Sequence, residues 1–431
     1  MSKYTPHTQE EIKSMLASLN MTSLDELYAD VPQNIACKNL DIASGLSQYE
    51  VSQQIKSYAK INKCYSTILR GAGIYDHIIP SVVGAIVNKE EFVTAYTPYQ
   101  AEISQGVLQG IFEYQSLMCS LTGMEVSNAS MYDGASAVAE AIIMCAEKKN
   151  KAIVLGQVNP EYKQVCSTYC YAHNKEIVFI EDKDGLADID AIKNAIDINT
   201  ACVVAQSPNY YGLIEDMELI GQLCKENNVK FIYVFNPVAL ALLPTPAECG
   251  ADIAVGEGQQ LGMNMYYGGA ALGILTCSKT MMRRMPGRIV GQTVDGQGNR
   301  VFVLTLQARE QHIKRERATS SICSNQALNA FTALVYLSTI GKEGFKQLAK
   351  QCVNNAHYLA NQIVNNGGKL KYSGEFFNEF VVNGGKDVVE RLKCQDILGG
   401  LSLGQDTLWC ATEKQTKQEL DKASVAFLGG K

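Results

Sequence analysis

The feature that most restricts the fold of this chain is an alternation of short apolar segments with helical segments in its middle part. Five runs rich in β-branched residues lie between residues 151 and 257, namely KAIVLG, EIVFIE, TACVVAQS, KFIYVFN and DIAVGE. Segments with helical periodicity separate them. Strands separated by helices require crossover connections, so this alternation predicts a mainly parallel sheet with helices on both faces.

The pattern changes after about residue 325, where a long helix is predicted over 325–337 and 344–364. It is followed by the strand-like runs KLKYSG, FNEFVV and DTLWCAT and by a final helix from Lys414. At the other end, Thr8-Gln9-Glu10-Glu11 has the layout of a helix-capping box. We therefore predict an N-terminal helical arm at 1–60, a large α/β domain at 61–324 and a small α+β domain at 325–431.

Composition narrows the functional class. Of 431 residues, 46% are hydrophobic and 19% are charged, which is typical of a globular enzyme. The net charge of −6, from 38 basic and 44 acidic residues, argues against a nucleic-acid or anionic-membrane surface. The N-terminal segment has no signal-peptide pattern, and no apolar stretch is long enough to span a bilayer. The expectation is a cytoplasmic, bacterial protein.

The cysteines and histidines do not form a recognisable metal motif. The 14 cysteines are scattered through apolar and helical segments, which favours buried reduced thiols over disulfides. No pair of cysteines and no histidine has zinc-site spacing, so we expect no metal site. Four histidines belong to no constellation of cysteines or carboxylates and are predicted to be structural or at the surface: His7, His77, His173 and His357.

Several polar segments follow the predicted strands, where open parallel sheets bind their ligands. Gly134 and Ser136 open a helix in SNASMYDGASAVAEAII, and free amides at such a start bind anions. The alternative is merely a well-capped helix. Asn236 ends the run VFN, and the segments AQSPNYYG and GEGQQLGMNMYYGG end two others. Convergence of these loops at one sheet edge would outline a pyridoxal-phosphate (PLP) site.

Three long motifs resemble one family. TAYTPYQAEISQG (94–106), MPGRIVGQTVDGQG (285–298) and REQHIKRERATSSICSNQAL (309–328) are similar to the glycine-decarboxylating P-protein of the glycine cleavage system. They look most like the first chain of the forms that are split into two chains. The similarity extends to TEKQTKQELD (412–421) and implies the fold of the PLP-dependent transferases, the aspartate aminotransferase fold or fold type I.

The resemblance also implies that the cofactor site of this chain is degenerate. Catalytic members need a lysine for the Schiff base and an aspartate at the pyridinium nitrogen. The lysine normally lies eight residues beyond an aspartate, and counting from Asp252 gives Gln260. Asn236 stands where the catalytic chains have the aspartate, and Asn159 stands where a ring would stack on the cofactor. We therefore expect PLP in the partner subunit and no covalently bound cofactor in this chain.

Two segments are candidates for contacts with a partner. Within TPYQAEISQG, Tyr96, Thr97, Tyr99, Gln100 and Glu102 are predicted to line the partner's site or its substrate channel. The alternative is a helix start with Thr97-Pro98 as cap and first residue. A second set is predicted to form a basic helical cluster that either is solvated or contacts the partner subunit or an acidic lipoyl carrier: Arg309, His312, Lys314 and Arg315.

The function implied by the resemblance is glycine decarboxylation by two copies of each of two chains, with transfer of the aminomethyl group to the lipoyl arm of H-protein. This chain would be inactive alone. Two alternatives stay open: a self-sufficient PLP-dependent homodimer that uses a displaced lysine such as Lys279, and a non-catalytic scaffold. Ser321, where the family more often has asparagine, leaves the role of ATSSIC open.

Overall fold

The computed structural model describes residues 6–32, 34–37, 41–94, 97–269 and 271–428. It divides into two compact units, Met1–Cys64 and Tyr65–Lys431. The helices are α1 (Gln9–Ser18), α2 (Gln48–Ala59), α3 (Ser81–Val87), α4 (Glu90–Val93), α5 (Gln105–Thr122), α6 (Gly134–Cys145), α7 (Pro160–Ala172), α8 (Ile189–Ala195), α9 (Met217–Glu226), α10 (Gln311–Lys314), α11 (Ala327–Asn365), α12 (Lys386–Lys393) and α13 (Lys417–Val425). The strands are β1 (Thr67–Ile68), β2 (Val126–Ser127), β3 (Lys151–Leu155), β4 (Glu176–Ile180), β5 (Thr200–Ser207), β6 (Lys230–Phe235), β7 (Ile253–Glu257), β8 (Gly273–Cys277), β9 (Ile289–Val294), β10 (Arg300–Thr305), β11 (Glu379–Val382), β12 (Ile397–Leu398), β13 (Leu401–Leu403) and β14 (Asp406–Cys410).

The first unit contains α1, a 3₁₀ turn at Leu24–Tyr28 and α2. The predicted capping box at the start of α1 is confirmed, because the Thr8 side chain accepts from the Glu11 amide and Glu11 accepts from the Thr8 amide. Few of its apolar side chains are covered. Among the described residues of this unit Leu16 is the buried hydrophobic residue, whereas the apolar side chains of α2 are exposed.

A seven-stranded sheet organises the second unit in the order β2-β8-β7-β6-β5-β3-β4. The five predicted runs are β3 to β7, and they pair in parallel as expected. The sequence prediction missed β8 and β2, which are antiparallel to their neighbours. The central strands are apolar on both faces because helices cover the sheet on both sides.

One helix lies close to the sheet because of a glycine. A Cβ atom added at Gly221, in α9, would lie 1.9 Å from the carbonyl oxygen of Cys249. Only a residue without a side chain permits this approach of α9 to the segment before β7.

The predicted two-part helix is confirmed as α11, which is interrupted at Gly341, where φ is +63°. Its second half packs into a separate apolar core with Phe380 and Trp409. Leu69 belongs to the same core, and β1 pairs in parallel with β12. The run KLKYSG forms only a bridge between Leu370 and Val382 rather than a strand. A domain boundary at 324/325 stays a proposal.

None of the 14 cysteines, all of which lie in the described ranges, is in a disulfide. The prediction of buried thiols is confirmed for nine of them and is wrong for Cys37, Cys64, Cys323 and Cys394, which are exposed. None of the helices in the described ranges combines the length and the apolar character that a membrane crossing requires.

Candidate functional site

The loops after β5, β6 and β7 meet at a small cavity with a volume of about 30 Å³. Its lining contains the three amide residues singled out from the sequence together with two carboxylates and two tyrosines: Asn159, Asn236, Gln260, Glu257, Glu379, Tyr75 and Tyr162. The structure thus brings the predicted segments together at the carboxyl ends of the parallel strands. A cavity of this volume holds roughly one or two water molecules, whereas cofactor pockets are typically about 300–1,000 Å³.

The start of α6 is occupied by carboxylates of the chain itself. The Gly134 amide donates to Glu257 Oε2 at 2.9 Å, and the Ser136 amide donates to Asp133 Oδ1 at 2.7 Å. Burial raises the pKa of Glu257, although its hydrogen bonds from backbone amides oppose that effect. Because these amides already have acceptors, the helix start is a capped one and does not offer an unfilled phosphate site.

The other predicted pocket residues also make hydrogen bonds within the fold. Asn236 Oδ1 accepts from the amides of Val238 and Ala239, at 2.9 and 3.2 Å. Asn159 Oδ1 caps α7 by accepting from the Glu161 amide at 2.9 Å. Gln260 is buried, and its Oε1 has no hydrogen-bond partner among the described residues. A neutral asparagine cannot supply the negative charge that keeps a pyridinium nitrogen protonated, so these residues do not fit PLP.

A buried carboxyl group that the sequence reasoning missed completes the pocket. Glu379 accepts from the Tyr75 hydroxyl and from the Ala72 amide, both at 2.6 Å. Burial raises its pKa to about 7. The available signal was an acidic residue inside the apolar run FNEFVV, where a strand in a core normally has none.

Lys279, the displaced lysine considered as an alternative, lies at the opposite ends of the strands from the pocket. Strand β8 runs antiparallel to β7, with Gly273 opposite Glu257 and Cys277 opposite Ile253. Lys279 follows β8 and therefore lies near the amino-terminal end of β7, about 13 Å of strand away from the pocket. No lysine is among the described residues that line the cavity.

The segment TPYQAEISQG does not begin a helix at Thr97-Pro98, so that alternative is wrong. A 3₁₀ turn covers Ala101–Ile103, and α5 begins at Gln105. Thr97 is half-buried, whereas Tyr99, Gln100 and Glu102 are exposed. Tyr96 lies outside the described residues. The exposed side chains are available for contacts outside the chain, and their predicted role stays a proposal.

Tyr99 contacts a buried arginine that the sequence reasoning did not select. Arg288 Nη2 donates to the Tyr99 hydroxyl at 2.7 Å, and the guanidinium carbon lies 4.8 Å from the centre of the Tyr99 ring. Cys323 Sγ is 3.6 Å from the same nitrogen. A cleft of about 450 Å³ lies beside this group and is lined in part by Pro98 and Ser324. Arg288 belongs to the quoted MPGR motif, which was the signal available in the sequence.

The predicted basic cluster is not on one helix. Arg309 ends a 3₁₀ turn, and its guanidinium is largely buried and donates to the Met285 carbonyl. Burial lowers the pKa of Arg309. His312 and Lys314 lie on the four-residue helix α10, and Arg315 follows it with φ +54°. These three are exposed, so they and Arg309 do not form a common surface.

The expectation that His77 lacks acidic and cysteine neighbours is wrong. His77 Nδ1 lies 2.7 Å from Glu413 Oε2, and Cys352 Sγ lies 3.3 Å from the same oxygen. The possible ligand atoms of these three residues all lie within 4.8 Å of one another. However, 2.7 Å is a hydrogen-bond distance, whereas two ligands of a tetrahedral zinc lie roughly 3.3 Å or more apart. The residues are far apart in the sequence, which is why no spacing revealed them.

Comparison with known proteins gives a consistent result over the full length. The family model described as glycine cleavage system P-protein matches residues 2–427. A protein of Carboxydothermus hydrogenoformans, called probable glycine dehydrogenase (decarboxylating) subunit 1, is 46% identical over 99% of each chain. The protein of the same name from Desulforamulus reducens is 45% identical over 97% of this chain and 98% of its own. The words "subunit 1" imply a second subunit for those proteins.

Solved structures agree with these relatives. A crystal structure of glycine decarboxylase, the P-protein of the glycine cleavage system in inhibitor-bound form, is 35% identical, with a TM-score of 0.93 and 99% of each chain covered. A sphingosine-1-phosphate lyase from Burkholderia pseudomallei is 14% identical with a TM-score of 0.65 over 92% of each chain. This second similarity concerns the fold alone, which is that of the fold type I PLP-dependent enzymes, as the sequence predicted.

Proposed function

Because this chain belongs to the glycine cleavage system P-protein family, as a relative of its first subunit, we propose that it works with a second subunit that carries PLP. In this proposal the pair decarboxylates glycine and passes the aminomethyl group to the lipoyl arm of H-protein. The chain described here lines or completes the partner's site and is inactive alone. Two copies of each chain in a bacterial cytoplasm are part of the same proposal.

The observation that carries this proposal is the filled pocket. The cavity at the strand ends measures about 30 Å³, and Glu257 already accepts the Gly134 amide at the start of α6. A phosphate group placed there would meet a second anion within a buried site, which is unfavourable. An enzyme that needs PLP for decarboxylation would therefore have to hold it in another chain.

The segment around Tyr99 supports a contribution of this chain to the chemistry. Tyr99, Gln100 and Glu102 are exposed, and Pro98 of the same segment lines a cleft of about 450 Å³. Side chains that position a substrate and exclude water contribute to catalysis without reacting themselves. We assign this role to the described part of TPYQAEISQG, in a site that the partner's residues would complete.

The N-terminal unit supports an assembly with another chain. Taken by itself, this unit exposes many large apolar side chains, including Ile35, Ile42, Tyr49, Ile55 and Ile61. Exposed apolar surface of this extent is typical of interaction sites.

The test is a glycine–bicarbonate exchange assay of each purified chain and of the two chains mixed, with H-protein and PLP present. The proposal expects exchange only in the mixture. Exchange by this chain alone would favour the self-sufficient enzyme.

A double variant separates a catalytic contribution from a scaffold. Replacing Tyr99 and Gln100 by alanine is expected to reduce exchange at least about tenfold without loss of assembly. Replacing Tyr171, which is 86% exposed on α7, is the matched control and is expected to change nothing. Unchanged exchange in the double variant would favour the non-catalytic scaffold.

A further inference from the structure

We propose that Arg288 and Tyr99 form a binding site for a carboxylate that comes from outside this chain. Arg288 is buried, with only 2% of its surface exposed. Its Nε and Nη1 atoms are buried and have no hydrogen-bond partner among the described residues. Its Nη2 donates to the Tyr99 hydroxyl, a neutral group.

The Arg288 guanidinium has no counter-charge among the residues that the structure describes. Within the described residues Arg288 makes no ion pair with a carboxylate. Burial of a charged group is unfavourable unless the group is paired and hydrogen-bonded. By contrast, Arg309 is also largely buried, but it donates to a backbone carbonyl and lies next to Glu310.

The unfilled donors suit a carboxylate. Nε and Nη1 lie on different edges of the guanidinium, so a carboxylate oxygen can accept from either of them, and charge-assisted hydrogen bonds of this kind are the strong ones. A lysine would offer a single point charge, whereas this arginine offers a permanent positive charge with directed donors on two edges.

In this proposal the carboxylate reaches the site from the side of the neighbouring cleft. Pro98 and Ser324, which line this cleft of about 450 Å³, are the chain neighbours of Tyr99 and Cys323. The Tyr99 ring covers the guanidinium and is itself 53% exposed. The proposal requires this ring to rotate so that the guanidinium faces the cleft, and the hydroxyl then donates to the incoming carboxylate.

This inference rests on the proposed function, in which two sources can supply the carboxylate. One is the glycine substrate, and the other is an acidic side chain of the second subunit. Both have the same chemistry and differ in what they change. Loss of a substrate contact raises the KM for glycine, whereas loss of an intersubunit contact raises the dissociation constant of the two chains.

The experiment compares Arg288→Gln and Arg288→Lys with the unmodified chain in the two-chain enzyme. In Arg288→Gln we expect a rise of about ten- to a hundredfold in one of the two constants, because a charge-assisted hydrogen bond is lost. The kcat is expected to change much less, and Arg288→Lys is expected to retain part of the binding. Unchanged KM and unchanged subunit dissociation constant in both variants would overturn the proposal.

Matched controls separate binding from a structural effect. Arg300→Gln removes another arginine that lies over an aromatic ring, at 5.5 Å from the centre of Phe302, and is expected to leave both constants unchanged. Tyr99→Phe keeps the ring and is expected to give a smaller change than Arg288→Gln, in the same constant.

The isolated chain provides a readout that does not depend on the proposed function. Sodium acetate, compared with sodium chloride at equal ionic strength, is expected to raise the melting temperature of the unmodified chain more than that of Arg288→Gln. If the two-chain mixture has no activity, equal responses of these two proteins to acetate overturn the carboxylate site. If the two-chain enzyme is active and the Arg288 variants leave both the KM for glycine and the subunit dissociation constant unchanged, the carboxylate site is refuted. The proposed function is not affected by that result.

Discussion

The Glu257 carboxylate accepts three hydrogen bonds from backbone amides, those of Gly134, Gln259 and Leu272, each at 2.9 Å. It links the start of α6 to the loop that follows β7 and to the residue before β8. A single side chain thus satisfies donors that an anionic ligand would otherwise need. The pocket is consequently part of the folded core, and it cannot be converted into a cofactor site by one residue.

The first prediction concerns Gln260→Lys. The lysine supplies an amine but no space, so we expect no Schiff-base absorbance with PLP and no pyridoxyl group at position 260 after borohydride reduction. Mass spectrometry of the reduced protein measures this, and Gln260→Met serves as the uncharged control of similar length. Stoichiometric labelling of the introduced lysine would show that the cavity opens for the coenzyme.

The second prediction concerns Glu379. Burial raises the pKa of its carboxyl group from 4.5 to about 7. A raised pKa of an acid means that the folded chain binds more protons than the unfolded chain between about pH 4.5 and pH 7. The contribution of Glu379 to stability therefore falls as the pH rises through this window.

In Glu379→Gln this pH dependence disappears. The free energy of unfolding of the variant, relative to the unmodified chain, is expected to increase by about 3 kcal/mol between pH 4 and pH 8. Urea unfolding at both pH values measures the difference. An identical difference at the two pH values would contradict a buried, protonated Glu379.

At the scale of elements, the close contact between α9 and the segment before β7 depends on Gly221. We expect Gly221→Ala to lower the free energy of unfolding by about 1–3 kcal/mol, because the added carbon would lie 1.9 Å from the Cys249 carbonyl oxygen. Gly344 is the matched control, since its added carbon meets only Ile340 at 3.5 Å within α11. Gly344→Ala is expected to stabilise by about 0.4–1 kcal/mol, and thermal or urea unfolding compares the two.

The elements also show what the sequence could predict. The parallel strands β3 to β7 were predictable because both of their faces are buried, which leaves continuous apolar runs. The break of α11 was predictable from glycine. Strand β8 was missed although it is apolar, because its antiparallel direction depends on pairing with β7. The run KLKYSG was wrongly predicted as a strand, because an alternating pattern alone does not supply a pairing partner.

The site was predictable in the same limited way. Residues that follow parallel strands meet at the carboxyl ends of those strands. For this reason the sequence could predict that Asn159, Asn236 and Gln260 lie close together, and they line one cavity. The contacts of Glu379 with Tyr75 and of Glu413 with His77 join residues more than 300 positions apart, and no local pattern encodes them. Arg288 lies within the quoted MPGR motif, but its burial depends on the fold around it and could not be predicted from that motif.

At the scale of the whole molecule, the chain has the fold of a PLP-dependent enzyme together with a pocket that its own side chains fill. Family membership fixes the enzyme class, while the division of labour between two chains is our proposal.

The most direct measurement of that division is borohydride reduction of the two-chain mixture with PLP, followed by mass spectrometry of both polypeptides. We predict a stoichiometric pyridoxyl group on a lysine of the second subunit and none on this chain beyond scattered surface labelling. A stoichiometric pyridoxyl group on a single lysine of this chain would contradict the account.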